Sequence, residues 1–301
     1  MTAYPHCQTV GLLASIRLGD SLLLMSIANN LRRAGKQVTI FGNHIHALAR
    51  WFPGFEIFPL PSPDEAAEAL ARFDVIIQMN PEQPLDGAQR YNKNFACFLE
   101  WHGERKRPFQ PILQEFRSFS EDVFGLADWQ NDNGMRAPAP LAHQAQRQRV
   151  IIHPTASHPD KYWSQRKFLK LARHLRADGY HPWLILERRE REQWRSISQG
   201  VADLVEIDSL DGLAGFIHES GWFIGNDSGI GHLASAAGIP TITISERLRN
   251  MARWRPSWAP GLVVQPLWLP LRSWRRQYWR AAIPVFRVRQ TLQRLRRSLA
   301  P

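Results

Sequence analysis

Asp20 follows an apolar run at residues 9–15, in the segment Ile16-Arg17-Leu18-Gly19-Asp20-Ser21 where a strand gives way to a helix. A carboxylate at that turn sits on the open edge of an α/β sheet and can take a proton from an attacking hydroxyl; it can equally be the helix N-cap. Lys161 closes a hydroxyl-bearing loop, His153-Pro154-Thr155-Ala156-Ser157-His158-Pro159-Asp160-Lys161-Tyr162-Trp163-Ser164. A point charge there neutralises a departing diphosphate while hydroxyls bond its oxygens, unless the lysine is merely solvated. The third group is the turn Asp227-Ser228-Gly229-Ile230-Gly231, set between an apolar run and an Ala-rich helix that Gly238 and Pro240 close. Unpaired N–H groups and the positive dipole end at such a helix start suit the turn to a phosphate, and its glycines let a ligand approach the main chain. Asp227 or Ser228 as a plain helix cap is the alternative. The turn is neither a Walker loop nor a Rossmann glycine fingerprint.

Two series of strands and helices must position these groups. In the first, strands are expected at 9–15, 38–41 and 74–79, with an extended stretch at 55–60. A helix opens at Gly19-Asp20 and is stopped by Gly35, residues 44–51 are expected helical, and a Pro-started helix covers 63–71. This alternation is the mark of a parallel sheet wrapped by helices. Residues 81–124 mix aromatic and charged side chains and place no motif; residues 131–148, rich in Pro, Gly, Asn and Gln, read as an interdomain linker. A second series begins at Val150. Strands are expected at 150–153, 183–187, 204–207 and 241–244, and helices at 164–176, from 188 to about 199, and at 210–218. Ser164 is placed to cap the helix at 164–176, and Trp163 reads as core.

Composition bounds the function. At 301 residues with 44% hydrophobic and 22% charged, the chain is long enough for two globular domains. A net charge of +11 points to an anionic partner: nucleic acid, membrane surface or phosphorylated substrate. Cys7 and Cys97 stand alone and far apart, supporting neither a disulfide framework nor a zinc site. No secretory leader is recognised, and the apolar runs fall short of the roughly 20 residues a membrane span needs. A soluble or peripheral protein is expected.

The segment Asp227-Ser228-Gly229, two residues, His232-Leu233, then a small-residue helix, resembles the signature of glycosyltransferase family 9, the ADP-heptose:lipopolysaccharide heptosyltransferases. Two further segments match that family. Its Gly-Asp turn, assigned as catalytic base, falls on Asp20, although Ser21 departs from the apolar residue usual there. Its Thr/Ser-rich turn followed by Lys-x-Trp places Lys161 at the diphosphate lysine and Ser157 at its hydroxyl. A carboxylate that holds the nucleotide ribose falls on Glu190, with Glu187 and Glu192 as neighbouring competitors. After Ile244 the sequence departs: Ser245-Glu246-Arg247-Leu248-Arg249 stands where the family has a Gly-Pro-Thr turn, leaving base and sugar open.

The resemblance implies an α/β protein of the GT-B type, two Rossmann-like lobes with parallel sheets facing a cleft. Residues 1–135 form the acceptor lobe, 149–280 the donor lobe, and 281–301 a helix packing back on the first lobe. The expected reaction is inverting transfer of a sugar, heptose favoured, from a nucleotide-diphosphate donor, ADP-heptose favoured, to a lipopolysaccharide-core or related glycan. Asp20 and Lys161 are the catalytic candidates; Ser157, Lys161, Glu190, Asp227, Ser228, Gly229 and His232 are the donor-binding ones. With no DxD motif, neither a metal nor a cofactor is expected. The rivals are an epimerase or hydrolase of similar fold, a degenerate nucleotide-binding scaffold, and a nucleic-acid-binding protein, the last lacking any motif. From Arg247 onward there are 13 arginines, no Asp or Glu, and interleaved tryptophans. Residues 285–299 have the spacing of a packed helix face, and Arg272 to Arg280 are expected to meet an anionic membrane, at the cytoplasmic face of the inner membrane.

Overall fold

The computed structural model describes residues 3–105, 110–246, 248–266, 274 and 277–300. The chain divides into two units, Met1–Pro138 and Ala139–Pro301. Each is a parallel β-sheet with flanking helices, and the division falls inside the stretch expected to be a linker.

In the first unit the apolar runs become β1 (Thr9–Leu13), β2 (Gln37–Phe41), β3 (Glu56–Phe58), β4 (Val75–Gln78) and β5 (Phe95–Cys97). They pair in parallel in the order β3-β2-β1-β4-β5, so the chain winds outward from β1 to one side and then to the other. Helix α1 (Leu18–Arg33) follows β1 and is apolar on nearly every face, with Leu22, Leu23, Leu24, Met25, Ile27 and Leu31 all buried. It starts at Leu18 with Arg17 at the N-cap, so Asp20 lies within the first turn and is not the cap. The stretch expected helical at 44–51 breaks into α2 (Asn43–His46) and a separate turn of 3₁₀ helix, Ala49–Trp51. Helix α3 (Pro63–Ala71) starts at Pro63 under a capping box in which Ser62 and Glu65 bond reciprocally.

The stretch 81–124, which offered no pattern, contains β5, α4 (Phe98–Arg105) and α5 (Ile112–Phe124). Its aromatics account for the blur. Phe98, Trp101, Phe116 and Phe119 form a mutual cluster, largely edge-on, with Phe98 and Phe116 centroids 4.8 Å apart, so aromatic residues there fill a core.

The second unit carries β6 (Gln146–His153), β7 (His181–Leu184), β8 (Asp203–Leu204), β9 (Ser220–Asn226), β10 (Thr241–Ile244) and β11 (Gly261–Val264). Their order is β11-β10-β9-β6-β7-β8, all parallel. The expected linker therefore ends earlier than 148, because β6 already pairs with β9 at Gln146. Between the strands run α6 (Gln165–Ala177), α7 (Arg188–Ser198), α8 (Leu210–His218), α9 (Gly229–Ala236) and α10 (Leu248–Trp254). Gly238, at φ +84°, closes α9 in a conformation that side chains disfavour.

The last helix, α11 (Val285–Ser298), departs from expectation. Its buried Val285, Val288, Leu292 and Leu295 belong to the core built from Ile152, Phe168, Leu171, Ile242 and Ile244, and it packs on α6, β10 and β11. The face expected to brace the first lobe is thus covered by the second unit, where each fully buried aliphatic contributes about 1.5–3 kcal/mol. Arg289 fixes the contact with a fork onto Asp178 at the end of α6, 2.8 Å to either carboxylate oxygen. Among the described residues no helix is long and apolar enough to cross a membrane.

Candidate active site

In a doubly wound sheet, ligands meet the carboxyl ends of the strands where the winding reverses. In the second unit that place is between β6 and β9, paired in register through Ile152–Ile224 and His153–Gly225. The loops after β6 and β9 and the start of α7 after β7 converge there, and they carry Lys161, Asp227 and Glu190.

Asn226, at the end of β9, organises the loops. Its side chain is buried, donates to the Pro154 carbonyl at 2.6 Å and accepts from the Trp163 N–H at 3.0 Å, pinning both ends of the loop after β6. Trp163 itself is core, edge-on to Phe168 and donating its indole N–H to the Ile283 carbonyl. Between the pinned ends a 3₁₀ turn, Pro159–Lys161, projects Lys161, whose ammonium lies 3.2 Å from Asp227 Oδ2. Both side chains are partly shielded, at 25% and 12% exposure, so the pair is fixed more firmly than a surface ion pair.

Asp227 is therefore spent on Lys161 and does not cap α9. Ser228 stands at the N-cap position but makes no capping bond, and its hydroxyl and the His232 Nδ1 are buried without a hydrogen-bond partner. Two polar atoms with unused capacity thus sit at the start of α9, beside its unpaired N–H groups. Burial pushes the His232 imidazole down to about 4, with Asp227 pulling the other way, so the ring is neutral at physiological pH. Gly231 faces the sheet: a Cβ there would come into ordinary contact with the Phe223 ring, at 3.4 Å. Ser157 lies exposed in the loop before the 3₁₀ turn, and Ser164 occupies the N-cap of α6 without a side-chain bond.

The three glutamates at and after the start of α7 separate clearly. Glu190 Oε2 accepts from the Thr155 hydroxyl at 3.2 Å and from the Glu187 N–H at 3.1 Å, tying α7 to the loop that carries Lys161. Glu187 is the N-cap and pairs with Arg189 in solvent, and Glu192 is exposed. In the first unit, Asp20 is half-buried in the opening turn of α1, at the carboxyl end of β1 and at the positive end of the helix dipole. That is again where the winding reverses, between β1 and β4. Ser21 Oγ bonds back to the Ser15 and Arg17 carbonyls, at 2.6 and 2.9 Å, and stiffens this turn. A cavity of about 450 Å³ in the same unit, lined by Thr9, Arg32, Lys36, Gln37 and Arg72, opens at the other, amino-terminal edge of the strands. Among the described residues no group of three or more His, Cys, Asp or Glu is placed to hold a metal ion.

A sequence model of glycosyltransferase family 9 (heptosyltransferase) matches residues 73–259. The chain belongs to glycosyltransferase family 9. The match spans Lys161, Glu190, Asp227 and His232 and begins after Asp20. No curated protein matches the sequence. Among solved structures, the glycosyl transferase family 9 protein from Veillonella parvula is 15% identical with a TM-score of 0.73, covering 96% of this chain and 97% of its own. E. coli ADP-heptose lps heptosyltransferase II is 15% identical with a TM-score of 0.72, covering 95% and 98%. E. coli heptosyltransferase WaaC with ADP is 14% identical with a TM-score of 0.70, covering 95% and 99%. At such identities the likeness is one of fold, a GT-B-like pair of parallel-sheet lobes.

For this family 9 glycosyltransferase the structure shows how one arginine of the basic C-terminal stretch is engaged. Arg280, expected on a membrane-facing surface, is half-buried and gives its guanidinium to the carbonyls of Pro159, Asp160 and Tyr162. Arg272, Arg275 and Arg276 lie outside the described residues. Asn226, Thr155 and Arg280 were missed by sequence reading. Asn226 directly precedes the Asp-Ser-Gly turn, and a polar residue closing a buried strand was a signal that could have been used.

Proposed function

We propose that this family 9 enzyme is an inverting, metal-independent glycosyltransferase that moves a sugar, heptose favoured, from a nucleotide-diphosphate donor to a lipopolysaccharide-core or related glycan. The observation that carries the reading is the Lys161–Asp227 pair at the winding reversal of the second sheet, beside the start of α9. A lysine held by one carboxylate, next to unpaired N–H groups, a spare hydroxyl and a neutral imidazole, is built to receive an anion whose charge grows as a bond breaks.

The residues take the following roles. Asp20 deprotonates the acceptor hydroxyl, which attacks the anomeric carbon; the nucleoside diphosphate leaves with the bonding pair, and its negative charge falls to Lys161 and the start of α9. Asp227 keeps the Lys161 ammonium in place, Ser157, Ser228, Gly229 and His232 line the phosphate side, and Glu190, held by Thr155, meets the ribose. ADP-heptose is the favoured donor because the family and the two E. coli structures named above concern heptosyltransferases. The enzyme acts at the cytoplasmic face of the inner membrane, where an anionic glycolipid acceptor matches a charge of +11.

The test is a screen of ADP-, UDP-, GDP- and CMP-sugars with and without a lipopolysaccharide-core acceptor, with mass spectrometry of the products. The proposal expects the acceptor to gain one sugar from an ADP-sugar, with turnover unchanged by EDTA. Release of free sugar or an epimer without acceptor would establish a hydrolase or epimerase instead. Nucleotide binding with no turnover would establish a scaffold.

A further inference from the structure

The loop that carries Lys161 is held by a residue more than a hundred positions away. Arg280 Nε donates to the Tyr162 carbonyl at 2.7 Å, and its Nη2 donates to the carbonyls of Pro159 at 3.0 Å and Asp160 at 3.1 Å. These acceptors lie on either side of Lys161 in sequence. The guanidinium thus grips the main chain of the 3₁₀ turn whose side chain reaches Asp227. Residues 157–160 are exposed, so water could satisfy the carbonyls of Pro159 and Asp160 without cost. What three bonds from one rigid planar fork add is a fixed direction for the turn.

Arg280 is itself anchored. Lys167, on the first turns of α6, gives its ammonium to the carbonyls of Arg280, Ala281 at 3.2 Å and Ile283 at 3.0 Å. Trp279, next to Arg280, is buried in the second-unit core, and Trp163, two residues past Lys161, bonds the Ile283 carbonyl. The loop after β6 and the segment 279–283 therefore hold each other: side chains of one take the carbonyls of the other, in both directions.

We propose that Arg280 is a positioning residue for Lys161, setting the direction from which the ammonium meets the diphosphate, so that the C-terminal segment 279–283 is part of the donor site without touching the donor. The proposal rests on the reading of Lys161 as the diphosphate contact. A lysine at position 280 keeps the charge but cannot bond Tyr162 in one direction and Pro159 with Asp160 in another.

Titration calorimetry of the full chain with ADP, UDP and GDP identifies the diphosphate that binds the wild type, and the matching monophosphate is the control. Arg280→Lys and Arg280→Ala should weaken the diphosphate on the order of 10-fold and leave the monophosphate within about 2-fold. In a Lys161→Ala background, Arg280→Lys should weaken the diphosphate no further, because the group it positions is gone. Thermal melting checks the fold, and Arg280→Lys, the milder change, is the deciding variant. Equal weakening of both nucleotides, an additive double variant, or unchanged diphosphate binding in Arg280→Lys would overturn the proposal while leaving Lys161 in its role. If Lys161→Ala alone leaves the diphosphate unaffected, or the wild type binds no diphosphate, the underlying reading fails and the proposal with it.

Discussion

Lys161 and Asp227, 66 positions apart in the chain, meet at 3.2 Å because Asn226, the neighbour of Asp227, hydrogen-bonds both ends of the loop that carries Lys161. The pair is thus a product of the backbone frame and not of two side chains finding each other in solvent. Truncating Lys161 to Ala removes the charge proposed to meet the diphosphate in the ground state and more strongly as it departs. Both donor affinity and kcat should fall, kcat by roughly 10²–10³-fold, on the scale of losing one stabilising donor. Steady-state kinetics with the natural donor measure it; unchanged values would return Lys161 to an ordinary loop lysine.

Asn226→Ala should act on stability first. It strips the partner from the buried Trp163 N–H and from the Pro154 carbonyl, and each orphaned buried group costs about 1–3 kcal/mol. A drop of only a few tenths of a kcal/mol in urea denaturation would mean that the loop finds other partners and that Asn226 does not organise the site.

His232 sets a pH dependence. Its folded-state value of about 4 lies below the ordinary histidine value of 6.5, so between the two the unfolded chain binds the extra proton. The contribution is therefore neutral above about pH 6.5 and turns destabilising as pH falls toward 4, by up to about 3 kcal/mol for this one group. His153 and His218 are depressed by burial too and add in the same direction. Stability measured from pH 7 down to about 4.5 should fall less in His232→Asn than in the wild type; superimposable curves would show that the ring is not held neutral by its surroundings.

The alternation of apolar runs with amphipathic stretches was enough to read two parallel sheets, since β1, β4, β9, β10 and the second half of β6 are buried runs with turn residues around them. The stretch 81–124 resisted because β5 has three residues and its neighbouring helices share an aromatic core, so neither period shows. Asp227 directly follows β9, where position alone marks it; Lys161, in the 3₁₀ turn of the loop after β6, and Glu190, in the first turn of α7, were legible only through the resemblance to the family. The bonds of Asn226, Thr155 and Arg280 join residues 35 to 121 positions apart, and no local pattern encodes such pairings. Helix α11 was legible as a packed face, but its period does not say what covers it.

With Arg280 bonded to the loop after β6, the membrane expectation narrows to Arg272, Arg275 and Arg276, which neighbour in sequence the exposed aromatics Trp274 and Tyr278. The protein should sediment with anionic vesicles at low salt and be released at high salt, and replacing those three arginines by Ser should abolish sedimentation without lowering the melting temperature. Retention by the triple variant, or indifference of the wild type to anionic lipid, would assign the charge to a soluble partner.

In the proposed mechanism Asp20 of the first unit removes the acceptor proton while the second unit holds the donor. Asp20→Asn keeps the shape of the side chain and loses its basicity, so single-turnover transfer with bound donor separates the two tasks. The rate should fall by about 10²–10⁴-fold with nucleoside diphosphate affinity unchanged. Transfer within a few-fold of wild type, or loss of nucleotide binding in step with loss of rate, would contradict it.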